Sequence, residues 1–369
     1  MKALRFLLVS AVVLPFAAGA QIITYIDLHP GGATWSSAFA TTGGQQAGRA
    51  DFGGGYHAGI WSCTADSFLD LNPSGASGSQ AFASVGSQQA GSARFGNDFH
   101  AGIWSGTAGS FVDLHPAGAT LSHAYATSGS QQGGYSVVAG SRHASVWSGT
   151  AASFVDVHPA GASGSQINAI SGSHQAGFAT LDGGFVHAGI WSGTADSFVD
   201  LNPNGASSSY AYGIASNQQA GFATFDGGFT HAGVWSGTAD SFLDLNPSEA
   251  YGSYIRATTG RYQAGQVRIS GEYHAAMWSG AASSFIDLDA SLGGGYGDSS
   301  AEAMWNDATT INVSGYAYNL ATGSYHSILW TITSVPEPSS TCLAGIGAIM
   351  SLLCWRKRIP GRRTRRSTE

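Results

Sequence analysis

Lysine is missing from residues 21–334; the two lysines of the chain, Lys2 and Lys357, lie outside that stretch. Within it, six arginines (Arg49, Arg94, Arg142, Arg256, Arg261 and Arg268) face twenty Asp and Glu residues, a net charge of −14 against −7 for the whole chain. Such a surface repels nucleic acid and anionic lipid, which excludes polyanions as partners. Cysteine is almost as scarce. Cys342 and Cys354 sit in a hydrophobic run near the C-terminus, leaving Cys63 alone in the long acidic stretch. One thiol makes no intramolecular disulfide, so packing must hold this domain together. Recognisable chemistry is also lacking. There is no phosphate-cradling Gly-Lys-Ser/Thr, no paired-cysteine zinc spacing and no Gly-x-Ser-x-Gly elbow, so neither a cofactor nor catalysis is expected.

What is present at the N-terminus is a basic start (Lys2, Arg5), an apolar run over 6–18 and a small-residue end, Ala18-Gly19-Ala20. That order is the form of a cleavable secretion signal, with the mature chain expected to start near Gln21. At the other end a hydrophobic segment, 339–355, is followed by Arg356, Lys357, Arg358, Arg362, Arg363, Arg365 and Arg366. At ~1.5 Å per residue the segment reaches roughly 25 Å, the short end of what spans a bilayer as a helix. The basic cluster would keep its end in the cytoplasm and face the preceding domain outward. Just before it, Val335-Pro336-Glu337-Pro338 forbids helix and leaves an extended, protease-accessible linker.

Motif, short span and Arg-rich tail in this order resemble the PEP-CTERM sorting signal. The resemblance implies a Gram-negative exporter, recognition by a membrane-embedded exosortase through Pro336, Glu337 and Pro338, removal of the tail, and delivery to the cell surface or extracellular matrix. An ordinary single-pass anchor is the competing reading. The tail after the span is longer than the pattern leads one to expect.

Between these ends the chain repeats. His-Ala/Ser-x-x-Trp occurs at His57–Trp61, His100–Trp104, His143–Trp147, His187–Trp191, His231–Trp235, His274–Trp278 and His326–Trp330, at spacings of 43, 43, 44, 44, 43 and 52 residues. The first six are each followed by Ser-Phe-x-Asp, ending at Asp70, Asp113, Asp156, Asp200, Asp244 and Asp287. The seventh has no such Asp; the missing one stands at the opposite end of the domain, in Tyr25-Ile26-Asp27-Leu28. Each unit reads as four short strands with Gly-rich turns: Ser-x-Ala-x-Ala-Thr, Gln-Gln-Ala-Gly-x-Ala, His-Ala-Gly-Ile-Trp and Ser-Phe-Val-Asp-Leu. Four strands every ~40–45 residues is the signature of a propeller blade. The expected fold is therefore an all-β, seven-bladed β-propeller over 21–334. The N-terminal strand, 22–28, completes the last blade, and a C-terminal transmembrane helix follows. The seven Trp, with Phe68, Phe111, Phe154, Phe198, Phe242, Phe285 and Tyr25, are expected to fill the gaps between blades. An open β-solenoid competes, but gives no reason for a lone fourth strand at the N-terminus. The unit's frame is also similar to the HAF-type extracellular repeat, with Gly59, Gly102, Gly189 and Gly233 where that repeat has Phe. This resemblance implies an exported β-repeat protein.

Because His and Asp recur once per blade, they would be spread around the ring instead of meeting in one pocket. Each His is expected to bond a buried partner, the Asp of the adjacent strand being the candidate. His29, His115 and His158 alternate with Asn72, Asn202 and Asn246 at one site and read as turn residues, as do Asp182-Gly183-Gly184 and Asp226-Gly227-Gly228. One carboxylate beside two glycines falls short of a calcium loop, so no metal is assigned. The off-consensus stretch 289–325, with Glu302, Trp305 and Asp307, either seals the ring or binds something specific. The function expected is a non-enzymatic surface or matrix propeller, binding or scaffolding, with an exopolysaccharide or another surface protein as partner. Exosortase is a further expected partner during sorting, and the membrane is contacted through the C-terminal helix before processing. The alternative is a secreted polysaccharide hydrolase or lyase using the central funnel.

Overall fold

The computed structural model describes residues 21–334 except residue 226. The expected secretion signal, sorting motif, hydrophobic span and basic tail lie outside the described residues, none of which forms a helix long and apolar enough to cross a membrane. The compact unit, Ile23–Ile332, is a seven-bladed β-propeller of seven four-stranded antiparallel sheets. In blade 1 the inner strand is Trp35–Thr42, the second Gln45–Asp51, the third Tyr56–Trp61 and the outer Leu69–Asp70. Blades 2 to 6 repeat this order, and each inner strand packs beside the next around the ring. Blade 7 takes its inner three strands from Tyr296–Asn306, Thr310–Asn319 and Ser324–Ser334, and its outer strand from Gln21–Asp27. Pairing the two ends of the domain removes the exposed edges that an open stack would leave.

Outer strands are shorter than the repeat suggested. In blades 1 to 6 each has two residues, because a single 3₁₀ turn, such as Ala65–Ser67, takes up the preceding chain. The turn is fixed locally: Ser67 Oγ donates to the Thr64 carbonyl at 2.6 Å and accepts the Ser62 N–H at 2.7 Å. That arrangement recurs in the next five blades. The residue after Ser62 needs a left-handed backbone. Glycine supplies it in blades 2 to 6, at Gly106, Gly149, Gly193, Gly237 and Gly280, whereas Cys63 adopts φ +62° in blade 1.

All seven repeat tryptophans are fully buried and fill the gaps between blades. Trp104, for instance, packs among Ala40, Ala47, Ala58, Ile60 and Leu71 from the blade 1 side and Ala81 of its own blade. Large indoles fit because much of what surrounds them is Ala. The outer-strand phenylalanine lies on the indole of its own blade, at 5.0–5.1 Å between centroids in blades 1, 2, 4 and 5. Gly59, Gly102, Gly189 and Gly233 make room for that ring, since a Cβ there would sit 2.0–2.1 Å from it. In blades 3 and 6, where Ser145 and Ala276 replace the glycine, the ring has moved out to 6.0 Å. Tyr25 departs from the expected interblade role. It is 37% exposed and meets Tyr296 edge-on, so blade 7 is closed by other means.

Asp27 supplies those means. Its Oδ2 accepts His326 Nδ1 at 2.7 Å and the Tyr296 hydroxyl at 2.9 Å, and its Oδ1 accepts the His29 N–H at 2.8 Å. Leu28, fully buried, donates its N–H to the Ser327 carbonyl. Tyr296 belongs to the off-consensus stretch, which therefore takes part in sealing the ring.

The two glycine classes predict different costs. Gly189→Ala meets a ring that has room to slide, as in blade 3, and should cost about 1 kcal/mol. Gly177→Ala would place its Cβ 1.9 Å from the Gln166 carbonyl and should cost about 3 kcal/mol, the upper part of the usual overpacking range. Equal losses in urea unfolding would contradict this reading. Likewise Asp27→Ala should lower Tm more than Asp113→Ala, whose carboxylate makes one bond fewer and closes no ring; hydrogen bonds to a charged group contribute about 1.5–3 kcal/mol each.

Candidate binding site on the propeller axis

The repeat histidines and aspartates pair within each blade, His Nδ1 to Asp Oδ2, at 2.7–2.9 Å. They do not converge. Nor are the partners buried as expected: the aspartates of blades 1 to 5 keep 37–47% of their side-chain surface exposed. The free Oδ1 caps the following turn by accepting the N–H two residues on, at Asn72, His115, His158, Asn202 and Asn246.

Those turn residues also fasten one blade to the next, a role their alternation conceals. Asn72 Oδ1 accepts the Ser79 hydroxyl and its Nδ2 donates to the Ala76 carbonyl; His115 does the same through Nδ1 to Ser122 and Nε2 to Ala119. The serine in turn accepts an N–H from the preceding blade, Ala58 to Ser79 and Ala101 to Ser122. A neutral imidazole and a carboxamide each offer one acceptor and one donor, so they interchange. Burial lowers the pKa of His29, His115 and His158, assisted by the imidazole stacked on each at 3.8–4.1 Å, and favours the neutral form. After the outer strand of blade 6 Asp289 occupies the slot and accepts the hydroxyl of Ser299 in blade 7. It thereby comes close to His274 and Asp287, the one His–carboxylate group among the described residues compact enough for a metal. Each member already has its structural partner, and no metal is assigned to it.

Residues that do converge lie on the axis. Every inner strand carries a β-bulge at the same place, between Ala38 and Ala40 in blade 1 and at the corresponding step in the other six. The extra residue is Phe39, Phe82, Tyr125, Asn168, Tyr212, Arg256 or Glu302 in blades 1 to 7, and all seven line one cavity of about 280 Å³. A bulge pushes one backbone carbonyl outward and re-aims one side chain. The displaced carbonyl, that of Ser37 in blade 1, comes within 1.9–2.0 Å of where a second-strand Cβ would stand, which explains glycine at Gly48, Gly91, Gly134, Gly177, Gly221, Gly265 and Gly315.

Sequence inspection singled out only Glu302 of these seven. The usable signal was their setting: each is the one freely varying residue between two small or aliphatic neighbours, as in Ala38-Phe39-Ala40 and Ala301-Glu302-Ala303.

Three aromatics form an arc, Phe39 to Phe82 at 5.7 Å and Phe82 to Tyr125 at 4.7 Å, with planes inclined 38° and 47°. Across from them the wall is polar. Arg256 lies over the Tyr212 ring at 4.5 Å, and its Nε is 3.9 Å from Glu302 Oε2. Burial alone would lower the Arg256 pKa, but Glu302 and the phenols of Tyr212 and Tyr316 outweigh it and keep the guanidinium charged. Glu302 is steadied by the Ser300 hydroxyl at 2.6 Å, and Tyr316 beside it is raised to about 12, chiefly by burial. Two further arginines brace the wall: Arg49 over Tyr56, Trp35 and Phe39 with a bond to Gln80, and Arg142 over Tyr135 with a bond to Gln166. His123, bonded to Ser92 at 2.9 Å and surrounded by aromatic rings, is pushed down to about 4 by burial, with Arg142 adding to the effect.

Against known proteins, residues 334–358 match the PEP-CTERM protein-sorting motif. This chain carries a PEP-CTERM sorting motif. The match includes Val335, Pro336, Glu337, Pro338, Arg356, Lys357 and Arg358, and stops before Arg362, Arg363, Arg365 and Arg366. No curated protein matches the chain. Among solved structures, a puromycin hydrolase is similar over 82% of this chain, with 8% identity and a TM-score of 0.51. The chain spans 57% of that protein's length. The β-propeller domain of the Trilobed protease from Pyrococcus furiosus, described as an open velcro topology, is similar over 80% of this chain and 95% of its own. Identity is 10% and the TM-score 0.50. At such identities the likeness is one of fold.

Protonation of His123 gives a signed expectation. The unfolded chain takes up this proton near pH 6.5 and the folded one only near 4, so about 3 kcal/mol of stability, present above pH 6.5, is lost as pH falls through that window. Gln80 and Gln166 occupy the same register in adjacent blades, so His123→Gln should fold and keep more stability between pH 6.5 and 4. Denaturant titrations at stepped pH test this; parallel curves for both proteins would refute it.

Proposed function

We propose that this is an exported, exosortase-sorted surface or matrix protein whose propeller binds a ligand on its axis without turning it over. The hydrophobic segment 339–355 serves as a transient membrane helix, and the basic tail keeps its far end inside until exosortase acts at Pro336-Glu337-Pro338. Exposure on the surface or in the matrix follows, in keeping with the HAF-like frame of the repeat. The observation that carries the binding reading is the contrast between scaffold and axis. Seven blades repeat their His, Asp, Trp and Gly positions, yet at the bulge they present aromatic, amide, cationic and anionic side chains to one cavity. A spacer has no need for unlike groups converging on one cavity.

Hydrolysis of a glycoside would ordinarily use two carboxyl groups about 5–9.5 Å apart. Around this cavity Glu302 is the carboxylate among the lining residues, and it already faces Arg256. Support for the enzymatic alternative is correspondingly thin, and the peptidase neighbours resemble the chain in fold alone.

The test uses the full chain purified in a sugar-free detergent, applied to a glycan array and to extracellular-matrix extract in a pull-down. Saturable capture of a glycan or one surface protein, with no product formed over hours, is the expected result. Polysaccharide or peptide cleavage would replace this reading with an enzymatic one; silence in both assays would leave a structural spacer.

A further inference from the structure

Building on the binding reading above, we infer that the axial cavity takes the terminal ring of an uncharged saccharide. Chemistry of the polar arc excludes the other classes. Arg256 and Glu302 keep 29% and 15% of their side-chain surface exposed, and the 3.9 Å between Arg256 Nε and Glu302 Oε2 is too long for a direct bond. The two charges attract but leave both a donor and an acceptor unspent. A hydroxyl group can accept from the guanidinium and donate to the carboxylate at once. A carboxylate or phosphate ligand would satisfy Arg256 but meet Glu302 as a like charge, and an ammonium would do the reverse. An aliphatic ligand would leave both groups unpaired and desolvated, which costs binding free energy.

The remaining cations do not alter this balance, because each is committed to the wall. Arg49 is held by three aromatic rings and Gln80, and Arg142 by Tyr135 and Gln166. Beyond the cavity the domain is strongly acidic, which opposes the approach of an acidic polymer.

On the facing side, Phe39, Phe82 and Tyr125 present a curved apolar wall, suited to the C–H face of a pyranose, while Asn168 adds an amide to the polar arc. Asn168 is fixed for this purpose: its Nδ2 donates to the Ala211 carbonyl at 2.9 Å, and its Oδ1 accepts from Gln166 at 2.6 Å. A volume of about 280 Å³ lies just under the ~300–1,000 Å³ of pockets for drug-sized ligands, room for one or two sugar rings. Seven strands surround the cavity, so a polymer enters by its end.

Calorimetric titration of the full chain in sugar-free detergent tests the assignment. The probes are cellobiose, maltose and chitobiose, with cellobiouronic acid as the charged counterpart. At least one neutral disaccharide should bind saturably and the acid at least tenfold more weakly. Phe82→Leu, which keeps apolar bulk but removes the ring, and Glu302→Gln should each weaken the neutral ligand about tenfold while circular dichroism shows the fold retained. Acid binding as tight as neutral, or neutral binding that ignores both variants, would overturn the inference while leaving a binding propeller. Failure of every saccharide would overturn it too, and the matrix pull-down would then decide separately whether the propeller binds anything.

Discussion

A propeller holds together only if its last wedge is fastened to its first, and here the N-terminal strand with its carboxylate, Asp27, completes that last wedge. Asp27 ties the N-terminal strand to His326 and Tyr296; in each of the other blades the His is paired by an Asp 13 residues downstream. Once the ring is sealed, every gap between sheets is bounded on both sides, so the seven indoles can be excluded from water completely. Hydroxyls of Ser36, Ser79 and their equivalents then carry main-chain bonds across each gap. Neither packing nor bridging would be uniform in an open stack with two unlike ends.

The fold was legible in the sequence because what builds it repeats. A Trp, a His and an Asp at a fixed offset, with the seventh Asp displaced to the front, are explained by a ring and poorly by a line. Tyr25 was misplaced for a physical reason. Its position in the repeat equates it with Phe68, but blade 7 has Tyr296 waiting at its edge, and the ring turns outward to meet it. The shortness of the outer strands was hidden in the same way, since Thr-Ala-Asp-Ser looks like a plain turn until Ser67 is seen holding both ends of it.

The axial site was much less legible, and the reason is instructive. Searches for repetition discard the columns that vary, and the site is one of those columns. Its position is specified indirectly by Gly48 and its six counterparts, whose lack of a side chain accepts the carbonyl displaced by each bulge. Those glycines repeat so strictly that they read as turn punctuation. Scaffold and specificity are thus encoded separately: any of Phe, Tyr, Asn, Arg or Glu can stand at the bulge without disturbing an indole, a serine bridge or a histidine pair.

The sealing strand sets an order of events during biogenesis. Asp27 and His326 are 299 residues apart in the chain, so the first strand of the domain to be synthesised must wait for almost the last before either can settle. Contacts of such long sequence separation are slow to form, and until then blade 1 and blade 6 each show an unmatched flank to whatever is nearby. Repulsion among acidic side chains would keep neighbouring, half-assembled copies apart during that interval.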